Sequence, residues 1–214
     1  MQAERRDDPN CYGPGRPAQR HDARSDSTAA RSGGPRLLSV EVLTVHQFEG
    51  EPPVQRQVAQ TLTEAGETLA IAESLTGGLV GALVTAVPGS SDFFDRSLVA
   101  YTHEAKHEEL SVQQHVLEEI GAVNETVAEQ MARGVLEVAD TTWGLSTTGI
   151  AGPTTNDRGD PVGVVFVGVA RAHADSEDHP SATVQRYDFE GERSAVKEKA
   201  ARQALEDLHA MATA

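Results

Sequence analysis

Residues 68–87 read T-L-A-I-A-E-S-L-T-G-G-L-V-G-A-L-V-T-A-V. The apolar run Thr68–Ala72 has the length of a short buried strand, and Thr76–Val87 carries Leu79, Val80, Leu83, Val84 and Val87 at helical spacing. Glu73 to Gly78 join them as a strand-to-helix turn. A strand that feeds a helix through a tight glycine turn is the opening half of a β-α-β unit, so these residues point to an α/β fold.

The flanking sequence extends the pattern. Val54, Val58, Leu62 and Ala65 predict a helix that Gly66 ends, and Arg96–Tyr101 predicts a second strand. Two helices are expected next: one around Gln113–Ile120 stopped by Gly121, and one capped by Asn124 that runs through Val127, Met131, Val135 and Val138. Trp143–Thr148 and Val162–Ala170 read as strands, the latter apolar on both faces, as a doubly covered strand should be. Thr183–Phe189 is a last strand. Glu192–Met211 is a closing helix with Val196, Ala200, Leu205, Leu208 and Met211 inward. The expected architecture is a three-layer α/β/α sandwich around a mixed sheet of about five strands.

Domain organisation follows from composition. Residues 1–36 are rich in Arg, Asp, Pro, Gly and Ser and nearly lack apolar side chains, so they are expected to be a disordered tail. Residues 37–53 are apolar enough for a short arm, and residues 54–214 form the foldable domain. The whole chain of 214 residues has a formal charge of −15. The tail holds seven Arg against five acidic residues, which leaves 11 basic against 28 acidic side chains, or −17, in the remainder. Only three lysines occur: Lys106, Lys197 and Lys199. No cationic surplus exists to release counterions from phosphates, so nucleic-acid binding by a basic face is excluded, as is a polybasic membrane anchor. Acid surplus with scarce lysine fits a surface kept hydrated in high salt. The longest uncharged apolar stretch, Pro161–Ala170, is about half a membrane span. With the single Cys11 ruling out an internal disulfide or a cysteine zinc site, the expectation is a cytoplasmic protein.

Four stretches lie at the ends of expected strands, where open α/β sheets place ligands. In Glu73–Gly78, Ser74, Thr76, Gly77 and Gly78 would turn backbone N–H groups toward a phosphate at a helix start. Val87–Phe94 contains Gly89-Ser90-Ser91, a helix cap or a nucleophile. Tyr101–His107 contains Lys106, a lysine that a cleft could desolvate into a general base for a serine. The same run spells H-E-x-x-H, a zincin pattern with His103 and His107 as ligands and Glu104 as base, although a third ligand is not evident and both histidines read better as exposed residues on a helix start. Thr147–Pro153 closes a strand, with Thr148 and Gly149 placed to line a pocket. Ser194-x-x-Lys197 sits in a charged amphipathic helix and reads as coincidence. Arg193 opens that helix, where a cation is disfavoured, and so hints at an anionic ligand.

In order, E-S-x-T-G-G, V-P-G-S-S-x-x-F, Y-x-x-x-A-K, T-G-I-A-G-P, P-V-G and F-x-G-x-R resemble the CinA (competence/damage-inducible protein A) C-terminal domain, the nicotinamide-nucleotide amidase family, over about residues 54–212. The resemblance implies hydrolysis of nicotinamide mononucleotide to nicotinate mononucleotide and ammonia by a homodimer, with no metal or other cofactor. It maps Ser91 to the nucleophile, Lys106 to its base and Tyr101 to a hydroxyl relay. Ser74, Thr76, Gly77 and Gly78 would hold the nucleotide, Thr148 and Gly149 would line the pocket, and Arg193 would hold the phosphate. Whether Ser74 rather than Ser91 attacks stays open. The chain departs from the pattern at Leu75, where Cys is usual, and at Thr102-His103, where Ser-Asn is usual. Residues 154–160 replace a Gly-Gly-rich loop, which could change the nucleotide accepted. A silent nucleotide-binding regulatory module is the competing expectation, and a zinc hydrolase a remote one.

Overall fold

The computed structural model describes residues 52–172 and 180–214. The expectations for the tail and for nearly all of the arm therefore lie outside the described residues. Along the chain come α1 (Val54–Ala65), β1 (Leu69–Glu73), α2 (Leu79–Thr85), a 3-10 turn (Ser90–Asp92), β2 (Phe94–Val99), α3 (His103–Leu110), α4 (Gln114–Glu119), α5 (Glu125–Ala139), β3 (Trp143–Gly149), β4 (Val164–Arg171), β5 (Ser181–Asp188) and α6 (Arg193–Ala212). The five strands form one mixed sheet in the order β2-β1-β3-β4-β5. The pairs β1–β2 and β1–β3 are parallel, while β3–β4 and β4–β5 are antiparallel.

Alternation along the strands sorts side chains into two layers. Leu69, Ile71, Trp143, Leu145, Val165, Val167 and Val169 face α1, α2 and α6, whose Val58, Leu62, Leu83, Val196 and Leu205 complete the larger core. Ala70 and Ala72 face the other way, against Leu110, Val116, Val127, Met131 and Val135 of α3, α4 and α5. Small residues on this second face let α5 lie close. A Cβ on Gly144 would stand 2.0 Å from the Ala132 carbonyl oxygen, so only glycine fits there.

The helix boundaries have local causes. Gly66, at φ 66°, ends α1, and the Asn124 side chain caps α5 by accepting from the Val127 N–H at 2.9 Å, as expected. The Thr102 hydroxyl caps α3 by accepting from the Ala105 N–H at 3.1 Å. The α2 helix begins at Leu79 instead of Thr76, because Gly77 and Gly78 adopt left-handed conformations in the turn before it.

Candidate functional site

Strands β1 and β3 run parallel, and the chain passes from β1 outward to β2 before returning to β3 on the other side of β1. Their carboxyl ends therefore flank a topological switch point, the usual crevice of an open α/β sheet. Ser74 follows β1 directly, Thr148 and Gly149 end β3, and Lys106 comes from the first turns of α3. A cavity of about 440 Å³ opens there, lined by Ser74, Tyr101, Lys106, Thr148, Gly149 and Arg193 among others.

Lys106 sits at its floor and is only 1 % exposed. Its Nζ donates to Ser74 Oγ at 2.9 Å, to the Ala100 carbonyl at 2.8 Å and to the Tyr101 carbonyl at 3.2 Å. Burial pushes the amine down from 10.5 to about 8. The two carbonyls favour the ammonium, but desolvation of the charge outweighs them. The result is an amine poised near neutrality within hydrogen-bond reach of a hydroxyl, the arrangement that activates a serine nucleophile.

The expected pairing of Lys106 with Ser91 is not what the structure brings together. Ser91 is exposed on the 3-10 turn before the amino end of β2, whereas Lys106 follows its carboxyl end. Six residues of strand separate the two, about 20 Å at roughly 3.3 Å per residue. A hydrogen bond between them is impossible, and the Gly89–Ser91 turn cannot offer oxyanion donors to this pocket. Ser74 takes the place beside the base.

The phosphate reading of the E-S-L-T-G-G turn is likewise corrected. Glu73, fully buried, accepts from the N–H groups of Gly78 at 2.8 Å, Val80 at 3.2 Å and Gly81 at 2.8 Å, and from Ser97 Oγ at 2.8 Å. The positive end of α2 is thus answered by a carboxylate from within the chain, which occupies the N–H groups of Gly78, Val80 and Gly81. Thr76 is also fully buried, and its hydroxyl pairs with Thr147 Oγ1 at 2.8 Å away from the cavity. Of the four residues expected to hold the nucleotide, Ser74 alone lines the pocket; Thr76, Gly77 and Gly78 do not.

The remaining candidates converge. Thr148 donates through Oγ1 to the Ala122 carbonyl at 2.7 Å, which fixes it on the pocket wall. Arg193 reaches across from α6: Nη1 donates to the Gly152 carbonyl and Nη2 to the Tyr101 hydroxyl at 3.2 Å. Among the charged residues of the lining, Lys106, Arg158 and Arg193 face the single acid Asp157, with His103 alongside. A strongly acidic domain thus concentrates cations around one cavity, which suits an anionic ligand. His103 lines the cavity, whereas His107 Nδ1 lies 2.9 Å from the Val112 carbonyl oxygen. Among the described residues no third acidic, histidine or cysteine side chain joins that pair to form a metal-binding group. Two residues that shape the site were not among the candidates. Glu73 was signalled by a carboxylate directly after the apolar strand Leu-Ala-Ile-Ala, and Arg158 by a lone cation in the unusual loop.

Fold and site define a three-layer α/β protein with a serine–lysine pair in a cation-lined pocket at the sheet's switch point. The family described as CinA C-terminal domain matches residues 51–212. A CinA-like protein of Geobacter sulfurreducens is 40 % identical over 188 residues, 87 % of this chain and 44 % of that protein. A CinA-like protein of Salinibacter ruber is 45 % identical over 158 residues, 74 % of this chain and 37 % of its own length. The crystal structure of a competence-damaged protein (CinA) superfamily protein from Klebsiella pneumoniae superposes with a TM-score of 0.70 at 29 % identity, covering 75 % of this chain and 96 % of the other. The chain belongs to the CinA family. It spans less than half the length of these curated relatives. Among the described residues, no helix is long and apolar enough to cross a membrane.

Proposed function

We propose that the chain hydrolyses the carboxamide of nicotinamide mononucleotide to nicotinate mononucleotide and ammonia, with Ser74 as nucleophile and Lys106 as general base. The observation that carries this reading is the buried Lys106 Nζ, 2.9 Å from Ser74 Oγ, in a pocket whose charged lining is mostly cationic. Neutral Lys106 takes the Ser74 proton as Oγ attacks the amide carbon. The resulting ammonium returns that proton to the nitrogen, so the C–N bond breaks and ammonia leaves with an acyl-serine behind. A water molecule then attacks the ester, gives its proton to Lys106, and releases the carboxylate while Ser74 regains its proton. Tyr101 accepts a hydrogen bond from Arg193 and so keeps its own proton for the developing oxyanion or the departing nitrogen.

The purified protein should release ammonia from nicotinamide mononucleotide. Ser74→Ala and Lys106→Ala should each lower kcat by at least about a thousandfold, while Ser91→Ala should leave it within about twofold. Full activity in Ser74→Ala, or its loss only in Ser91→Ala, would reject the assignment. Tight binding of the mononucleotide with no ammonia from the wild type would make the chain a nucleotide-binding module instead.

A further inference from the structure

Residues 154–158, within the loop 153–160, form a wall of the pocket, and one side chain ties that wall to the rest of the domain. We propose that Arg158 is a positioning residue whose guanidinium straps this loop over the pocket, so that the loop contacts the ribose hydroxyls of a bound nucleotide. The proposal rests on the reading of the pocket as a nucleotide amidase site.

Within the loop, Asn156 acts as an internal staple. Its Oδ1 accepts from the N–H groups of Arg158 at 3.2 Å and Asp160 at 3.0 Å, and its carbonyl accepts from the Gly159 N–H at 3.0 Å. Its Nδ2 donates to Asp160 Oδ2 at 2.7 Å. All of these bonds stay inside the loop, so they stiffen it without anchoring it. Two arginines supply the anchors. Arg193 holds the Gly152 carbonyl at one end, and Arg158 reaches α4 at the other, its Nη1 donating to the Glu119 carbonyl at 2.9 Å and its Nη2 to the Glu118 carbonyl.

The acceptors explain why the residue is an arginine. Carbonyls at a helix C-terminus lack intrahelical donors and carry the negative end of the helix dipole. A planar fork meets two successive carbonyls at once, which a single ammonium cannot do. Gly121 makes the crossing possible, since a Cβ there would stand 2.7 Å from Arg158 Cδ and Nε. The strapped loop turns Thr154, Thr155 and Asp157 to the cavity, with Arg158 beside them. Two hydroxyls and a carboxylate are the groups that pair with vicinal sugar hydroxyls, on the wall opposite in chemistry to the Lys106 floor.

The test compares wild type, Arg158→Ala and Arg158→Lys. With nicotinamide mononucleotide, Arg158→Ala should raise KM roughly tenfold with kcat within about twofold and an unchanged pH profile, because the Ser74–Lys106 pair is untouched. Arg158→Lys, which keeps the charge but not the fork, should fall between. Amide hydrogen exchange without substrate gives a second readout: Arg158, Gly159 and Asp160 should exchange at least about tenfold faster in Arg158→Ala, with α5 unchanged. Wild-type KM in Arg158→Lys would assign the effect to charge and overturn the strap, as would unaltered exchange in Arg158→Ala. A kcat loss at constant KM would overturn it too. A wild type that releases no ammonia defeats the amidase reading and the ribose contact with it, whereas the exchange experiment still decides whether Arg158 holds the loop.

Discussion

Replacing Lys106 with methionine separates the stability of this amine from its chemistry. The unfolded chain keeps a lysine at its ordinary value of 10.5, and the folded chain holds it at about 8. Between those two values the unfolded state binds the extra proton, so wild-type stability climbs as pH rises from about 8 to about 10.5 and is depressed at every pH below. At about 1.4 kcal/mol per pH unit, the climb amounts to about 3 kcal/mol. Lys106→Met lacks this titration. It also leaves Ser74 Oγ and the Ala100 and Tyr101 carbonyls without their donor, but that penalty does not vary with pH. The stability of the wild type minus that of Lys106→Met, from urea unfolding at pH 7, 8, 9 and 10.5, should therefore grow by about 3 kcal/mol across the window. Titrations common to both chains, such as the phenol of Tyr187 that burial and Asp207 push upward, cancel in the difference. A difference that stays flat within about 1 kcal/mol refutes the buried, depressed amine, whatever the activity shows. In the wild type, kcat/KM should rise with pH, reach half its plateau near 8 and level off about one unit higher, since at pH 7 only about a tenth of Lys106 is neutral.

Glu73→Ala should cost about 3 kcal/mol or more in thermal or urea unfolding, because three backbone N–H groups at the start of α2 lose their acceptor. Glu73→Gln, which retains one acceptor oxygen, should cost less; equal stability of Glu73→Ala and wild type would refute the capping role. The net −15 charge predicts that Tm rises between about 0.1 and 2 M KCl as repulsion is screened, and a Tm that falls over that range would count against salt adaptation.

The layers were legible because their signals are local. A continuous β-branched apolar run marks β4, apolar residues at a period near 3.6 mark α1 and α5, and Asn124 and Gly66 mark boundaries. The short α3 was harder to delimit, since only Lys106 and Leu110 of His103–Leu110 are buried and most of the rest is glutamate or histidine. The site was half legible. Lys106, Tyr101, Thr148, Gly149 and Arg193 do converge on one cavity. The choice of serine was not readable from spacing. Ser91 is nearer to Lys106 along the chain, yet β2 stands between them and carries them to its opposite ends. Ser74 is farther in sequence but follows the neighbouring parallel strand, whose carboxyl end meets that of β2. The glycine turn misled for a related reason: a helix start looks like an anion site until one sees that Glu73 folds back to occupy it.

That inward-turned carboxylate has a consequence for how the protein can change. Because the turn that carries Ser74 supplies its own counter-charge, the positive end of α2 is answered without a ligand. The groups on the other side of the pocket come from elsewhere: Arg193 opens the last helix, and Arg158 ties a surface loop to the end of α4. Under the proposed function, chemistry and recognition are lodged in separable parts of the chain, and the loop can be rewritten for a different nucleotide while the Ser74–Lys106 pair stays as it is.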